Sequence, residues 1–204
     1  MRIAIVGSGH IGAGLGRAWS AKGHAVTYAA RDLDEPDVVA LAREIGARVA
    51  TIPEALAHAE VIALAMPFGA AGAVAQALPA WVGRVVIDCT NPIGPGFTLL
   101  HGHTDSGSEA IARLLPGARV VKSFSAQGAE NLASPLYHGV AASNFYCGDD
   151  VAAKAMVRDL IADVGFEPID VGELASARYL EPMTMLWITA SRTLGRHFAF
   201  KVLR

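Results

Sequence analysis

The sequence predicts an α/β fold of the Rossmann type: a doubly wound, mainly parallel sheet with a small helical C-terminal portion. Three observations carry this expectation. Short apolar runs alternate with longer stretches of helical period, the pattern of parallel strands joined by helical crossovers. The run Val61-Ile62-Ala63-Leu64-Ala65 has no polar position, as expected of a strand covered on both faces. The first apolar run leads directly into Gly7-Ser8-Gly9-His10-Ile11-Gly12, a glycine pattern that turns a strand into a helix.

Taken in order, strands are expected at Arg2 to Val6, Ala25 to Ala29, Arg48 to Ala50, Val61 to Ala65, Val85 to Asp88, Ala118 to Ser123, Asn144 to Cys147 and Glu167 to Asp170. Helices fill the intervals: His10 to Lys22, Asp37 to Ile45, a short one after Pro53 reaching Ala57, and Val151 to Val164. Ile93 to Ser108, rich in Gly and Pro, is the longest loop and a candidate wall of a site. From Leu174 to Leu203, Leu180, Met183, Leu186, Trp187, Ala190, Leu194 and Phe198 recur at helical spacing, which predicts one long helix or two shorter ones. The expected organisation is a dinucleotide-binding domain over 1-172 and a helical extension over 173-204. That extension packs on the sheet or on a second copy.

Composition narrows the partners. The chain has 204 residues, 17 Lys+Arg against 19 Asp+Glu, and 18% charged residues, below the usual quarter. Lys occurs only at Lys22, Lys122, Lys154 and Lys201, so there is no basic face for nucleic acid. Val61 to Gly83 lacks any Asp, Glu, Lys or Arg, yet Pro67, Gly69, Gly72 and Pro79 interrupt it, which argues against a membrane span. Met1-Arg2 and the apolar run after it imitate a secretory signal, but the glycines from Gly7 to Gly16 give the segment another use. The expectation is a cytoplasmic protein acting on small molecules, with low surface charge marking a homodimer face. Cys89 and Cys147 sit in strand contexts that favour free buried thiols.

The glycine turn specifies a ligand. Gly7 suits the tight turn, Gly9 the close approach of a pyrophosphate, and Gly12 the packing of helix on strand, while the helix N–H groups face the anion. Ser8, His10 and Ile11 lie in the same turn. After the second strand an acidic residue selects NAD and an arginine accommodates the 2'-phosphate of NADP. Here the strand ends Ala29-Ala30-Arg31-Asp32, so Arg31 favours NADP. Asp32 is either a ribose acceptor or the cap of the next helix.

Several further segments occur in order along nearly the whole chain. They are Ala65-Met66-Pro67, Asp88-Cys89-Thr90-Asn91-Pro92, Pro116 to Phe124, Cys147-Gly148-Asp149-Asp150, Val164 to Gly172 and Ala177 to Pro182. With the glycine turn and Ala30-Arg31 they resemble the NADP oxidoreductases dependent on coenzyme F420, a deazaflavin, and the cytosolic domain of the STEAP metalloreductases. The resemblance implies NADPH in the turn and a second flat redox partner near the nicotinamide, either coenzyme F420 or a flavin. It places the nicotinamide against Ala65-Met66-Pro67 and Asn91-Pro92, with Phe124 and Ser125 as candidates on the acceptor side. The chain departs from the family pattern at Ala30 and Glu35, where Ser or Thr and a second basic residue are usual. It departs again at Phe124-Ser125-Ala126, where Phe-Asn-Thr is common.

Hydride transfer between two rings needs alignment and exclusion of water, with no obligatory side-chain acid. The Tyr and Lys pair, four apart, of the short-chain dehydrogenases is absent. Lys122 is a candidate proton donor if the substrate is a carbonyl or imine, and otherwise an ion-pair partner or cofactor contact. His101-Gly102-His103 with Asp105 lacks a third histidine and is a weak metal pattern, so no metal is expected. Met183, Met185 and Trp187 suit core packing better than a haem or flavin edge. The expected activity is an NADP(H)-dependent oxidoreductase with a deazaflavin or flavin-like acceptor. The alternatives are a non-catalytic dinucleotide sensor and a reductase of ferric chelates, carbonyls or imines.

Overall fold

A computed structural model describes residues 1–204. The strands are β1 (Arg2–Val6), β2 (Ala25–Ala30), β3 (Arg48–Thr51), β4 (Val61–Leu64), β5 (Val85–Asp88), β6 (Arg119–Lys122), β7 (Leu136–Tyr137), β8 (Val140–Ala141), β9 (Ser143–Gly148) and β10 (Glu167–Asp170). The helices are α1 (His10–Ala21), α2 (Pro36–Ile45), α3 (Ile52–Ala57), α4 (Ala71–Ala75), α5 (Gly107–Leu114), α6 (Glu130–Ala133), α7 (Val151–Val164) and α8 (Ala177–Leu194). Eight strands form one sheet in the order β10-β9-β6-β5-β4-β1-β2-β3. Every pairing is parallel except β6 with β9. All eight strands expected from the sequence are present. The hairpin β7–β8 was not anticipated, because Leu136-Tyr137 and Val140-Ala141 are too short to show a period.

The apolar strands alternate between two cores. Ile3, Ile5, Val61, Ala63, Val85 and Ile87 face Leu15, Trp19, Leu41, Val157 and Leu160 from α1, α2 and α7. Ala4, Val6, Ile62, Leu64 and Val86 face Leu56, Val74 and Ile111 from α3, α4 and α5. Both faces are covered, so an unpaired polar side chain within a strand would be costly, which accounts for the uncharged run through β4. After β4 the chain turns at Met66-Pro67 and passes through a 3-10 turn, Phe68–Ala70, into the single turn and a half of α4. No helix is long and apolar enough to cross a membrane.

The C-terminal region is one helix, α8, entered from a 3-10 turn at Leu174–Ser176. Phe198 is not helical, contrary to the periodicity. Gly195, at φ 75°, ends the helix, and the tail folds back so that Phe198 stacks on Trp187 with ring centroids 5.1 Å apart. The apolar spacing continues past Gly195 because Phe198 packs back onto Trp187 of the helix. The tail then runs along the sheet edge, where Ser143 N donates to Phe200 O at 2.9 Å and Lys201 pairs with Glu167 at 2.6 Å.

α8 is fastened to the sheet by a wholly buried ion triad. Lys122 Nζ, at the end of β6, lies 3.0 Å from Asp88 Oδ2 at the end of β5 and 3.4 Å from Glu181 Oε1 on α8. It also donates to Thr90 O. Glu181 accepts the N–H groups of Gly107 (2.8 Å) and Ser108 (3.0 Å), so the first turn of α5 shares the anchor. Burial opposes the ammonium, but the Asp88 and Glu181 carboxylates outweigh it and hold the Lys122 pKa above that of an ordinary lysine. Two carboxylates share one cation here, and burial pushes the pKa of Glu181 up despite Lys122. A second tie links the same elements near the surface: Arg178 makes a forked pair with Glu109, at 2.9 and 2.6 Å.

Lys122→Met should leave two carboxylates buried without their cation and cost about 3–5 kcal/mol in urea unfolding; a loss under about 1 kcal/mol would contradict the anchor. The Arg178 hydrogen bonds hold the Glu109 pKa below its ordinary 4.5. The folded state therefore binds fewer protons there, and this stabilisation, present above that pH, is lost as pH falls. Glu109→Gln should lower neutral stability by about 1 kcal/mol and flatten the decline on acidification, measured by urea melts across that range.

Candidate functional site

The three glycines of the first turn occupy three different environments. Gly7 has φ 106°, and a Cβ there would lie 2.5 Å from Ala65 O, so both conformation and space demand glycine. A Cβ on Gly12 would fall 1.9 Å from Gly7 O, which is the close packing of α1 on β1. Gly9 has nothing within 4 Å of its absent Cβ, leaving open space at the mouth of the turn. α1 begins beside that space with no side-chain cap and no acidic residue in its first turn. Its N–H groups and positive dipole end are thus available to an anion.

A cleft of about 560 Å³ opens at the carboxyl ends of β1, β2 and β4. It spans the reversal of strand order between β1 and β4, where doubly wound sheets bind ligands. Gly7, Ser8, Gly9, Ala30, Arg31, Ala65, Met66 and Pro67 line it, as does Glu35. Arg31 is exposed and makes no ion pair, leaving its guanidinium available. Asp32 does not cap the helix that follows. Its Oδ1 accepts from Asp34 N at 3.0 Å, the N-cap position of α2 falls three residues later at Glu35, and Asp32 is not among the residues lining the cleft. The intervening turn moves it out of capping register. This cleft fits a dinucleotide: bare N–H groups and an open glycine for the pyrophosphate, a free guanidinium at one end, and apolar walls at the other.

A second cavity, about 440 Å³, lies at the carboxyl ends of β5 and β6. His10 and Ile11, next after Gly9 in the turn, line it, together with Cys89, Asn91, Phe124 and Ser125. Its far wall is α8, through Thr184, Trp187, Ile188 and Arg192, with Arg196 just past the helix end, and Ile93 and Phe97 close one side. Thr184 Oγ1 lies 3.0 Å from Asn91 Oδ1 and 3.1 Å from Ser125 O, so α8 holds both strand ends in place. Phe124 adopts φ 57°, unusual for a bulky residue, and buries its ring edge-on to Trp19 at 5.9 Å. Trp187 is clamped between Phe198 and the Arg196 guanidinium, 5.0 Å from its centroid, while Arg196 also pairs with Glu130. Arg192 sits over Phe97 at 5.7 Å with no carboxylate partner. Burial pushes the Cys89 thiol far up, so it is an apolar wall and not a nucleophile.

The remaining sequence candidates lie apart from these cavities. Pro92 accepts a hydrogen bond from Leu100 N at 2.8 Å and lines neither cavity. Lys122 is 0% exposed beneath the floor, within the ion triad. His101 Nδ1 is 3.3 Å from Asp105 and its ring meets Phe68 edge-on, whereas His103 turns outward at φ 59°. Ile93 and Phe97 make the long loop a wall, as the sequence suggested. Gln127, Thr184, Arg192 and Arg196 join the wall of the second cavity without a motif to mark them. The only signal available was the pair of arginines four apart, one in the last turn of α8 and one just past its end.

Residues 2–92 match the model of the family described as NADP oxidoreductase coenzyme F420-dependent. The crystal structure of an Arthrobacter sp. FB24 protein, assigned as an F420-dependent NADP reductase, superposes with a TM-score of 0.91 at 31% identity, covering 100% of both chains. The F420-dependent NADP reductase of Methanothermobacter thermautotrophicus is 28% identical over 92% of this chain and 88% of its own length. The rat metalloreductase STEAP3 is 28% identical over 90% of this chain, which spans only 36% of that protein. A reductive aminase from Aspergillus terreus shares the fold at a TM-score of 0.70 and 20% identity. The chain belongs to the family of coenzyme F420-dependent NADP oxidoreductases.

Proposed function

We propose that this protein transfers a hydride between NADPH, in the cleft at the glycine turn, and a deazaflavin or flavin-like ring in the adjoining cavity. The observation that carries the reading is the adjacency of the two spaces: Gly9 lines the first and His10 the second. Bound NADPH supplies the hydride. The chain's own residues bind, orient and exclude water. Gly7, Ser8, Gly9 and the start of α1 hold the pyrophosphate, and Arg31 meets the 2'-phosphate. Ala65, Met66 and Pro67 give the nicotinamide an apolar seat. Asn91, Ser125 and Thr184 fix the boundary between the two rings, and Trp187 and Phe124 supply the apolar wall that keeps it dry. No side-chain acid is needed for transfer between rings, which agrees with Lys122 being sealed in its triad.

Arg192, which has no carboxylate partner, gives the outer wall of the acceptor cavity a positive end, which supports an acceptor carrying a phosphate or carboxylate. Glu35 beside Arg31 weakens the case for strict NADP selection, and some NADH use is part of this reading. Residues 173-204 would then be the acceptor-side extension of the dinucleotide domain over 1-172. Exposed Tyr179, Leu186 and Leu194 on α8 support a homodimer, which sedimentation would detect.

Titration with NADPH and NADH should give saturable binding of at least NADPH; binding of neither would refute the cofactor assignment. Arg31→Ala should weaken NADPH by about tenfold and NADH by much less, and equal losses would remove the 2'-phosphate contact. In an acceptor screen with oxidised F420, flavins and ferric chelates, NADPH oxidation is expected with a ring acceptor. Tight NADPH binding with no turnover of any would favour the sensor. Arg192→Ala should raise KM several-fold for an anionic acceptor and leave a neutral flavin analogue unchanged.

A further inference from the structure

Gln127 lies in the wall of the acceptor cavity, and its Nε2 is buried with no hydrogen-bond partner. No other buried side-chain nitrogen or oxygen in the molecule is left without one. Such a group is costly in a folded protein and calls for an explanation. Neighbouring hydrogen bonds determine which end of the amide is free. The backbone N–H of Phe124 can only donate, and its partner is Asn144 Oδ1 at 3.4 Å; Ser123 Oγ donates to the same oxygen at 2.9 Å. The other end of Asn144 is therefore its NH₂ group, which donates to Gln127 Oε1 at 3.0 Å. Gln127 thus has its oxygen engaged and its NH₂ group free. The relay starts at the end of β6, whose Phe124 φ of 57° also shapes the cavity.

We infer that Gln127 is a specificity-determining residue whose side-chain amide, covered in the unliganded wall, shifts on binding to donate a hydrogen bond to the acceptor. The acceptor then presents a ring carbonyl oxygen or an unprotonated ring nitrogen to this wall, as the pyrimidinedione edge shared by flavins and deazaflavins would. This rests on the reading of the cavity as the acceptor site and adds the polar edge by which the ring is held. The cost of the free donor in the unliganded protein becomes selectivity, because a ligand lacking that oxygen or nitrogen leaves it unpaired.

The test is titration of oxidised F420 and of riboflavin into the NADP⁺-loaded protein, with steady-state kinetics alongside, for wild type, Gln127→Leu and Gln127→Glu. Gln127→Leu removes the donor, and Gln127→Glu keeps an oxygen for Asn144 while replacing the donor with an acceptor. Both should raise the acceptor Kd and KM by about tenfold, the glutamate more than the leucine, with the NADPH Kd within twofold. If one variant fails to fold, the other carries the test, with thermal melts as the check. Acceptor Kd and KM unchanged in a folded variant would overturn the assignment while leaving the proposed function intact. If the wild type neither binds nor reduces a ring acceptor, the functional reading fails and this assignment falls with it.

Discussion

The Lys122–Asp88–Glu181 triad is the constraint on which the site depends. β5 and β6 would otherwise end in loose loops, and α8 would rest on the sheet through apolar contacts that tolerate sliding. A buried ammonium between two carboxylates does not tolerate it, because any displacement leaves charge unpaired in a dry interior. Glu181 also accepts from Gly107 and Ser108, so the start of α5 is held at the same point. One helical turn beyond Glu181, Thr184 meets Asn91 and Ser125. The electrostatic anchor beneath the floor thereby becomes positional accuracy at the floor's surface.

Above that anchor the low charge of the chain has a use. The uncharged run from Val61 supplies a strand buried on both faces and then the Ala65-Met66-Pro67 wall of the cleft. The charges that do occur near the site stand at its ends, with Arg31 and Glu35 at one extremity and Arg192 and the Arg196–Glu130 pair at the other. Polar groups inside are mostly neutral and paired, a setting suited to a reaction in which rings exchange a hydride and water must be excluded.

Much of this was legible in the sequence, for physical reasons. Parallel strands covered on both faces show as uninterrupted apolar runs. The glycine turn shows because a Cβ at Gly7 or Gly12 would meet backbone, while Gly9 leaves the mouth of the turn open. The second cavity was less legible. Trp187 and Thr184 sit on a helix whose period indicates packing and not what is packed, and Phe198 continued that period from a tail returning past Gly195. Lys122 looked like a candidate acid because strand ends face the site; only the three-dimensional arrangement shows Asp88 and Glu181 closing over it. Gln127 carries no local signal, since its free amide is defined by Asn144 across the sheet.

The central claim is that two rings meet across the boundary between the cleft and the adjoining cavity, shielded from water. NADPH deuterated at the transferable position of its nicotinamide, incubated with the enzyme and oxidised F420 in ordinary water, tests this most directly. Deuterium should appear on the reduced deazaflavin carbon with no exchange into solvent. Reduced product carrying solvent hydrogen, or consumption of NADPH without labelled product, would contradict direct transfer between adjacent rings.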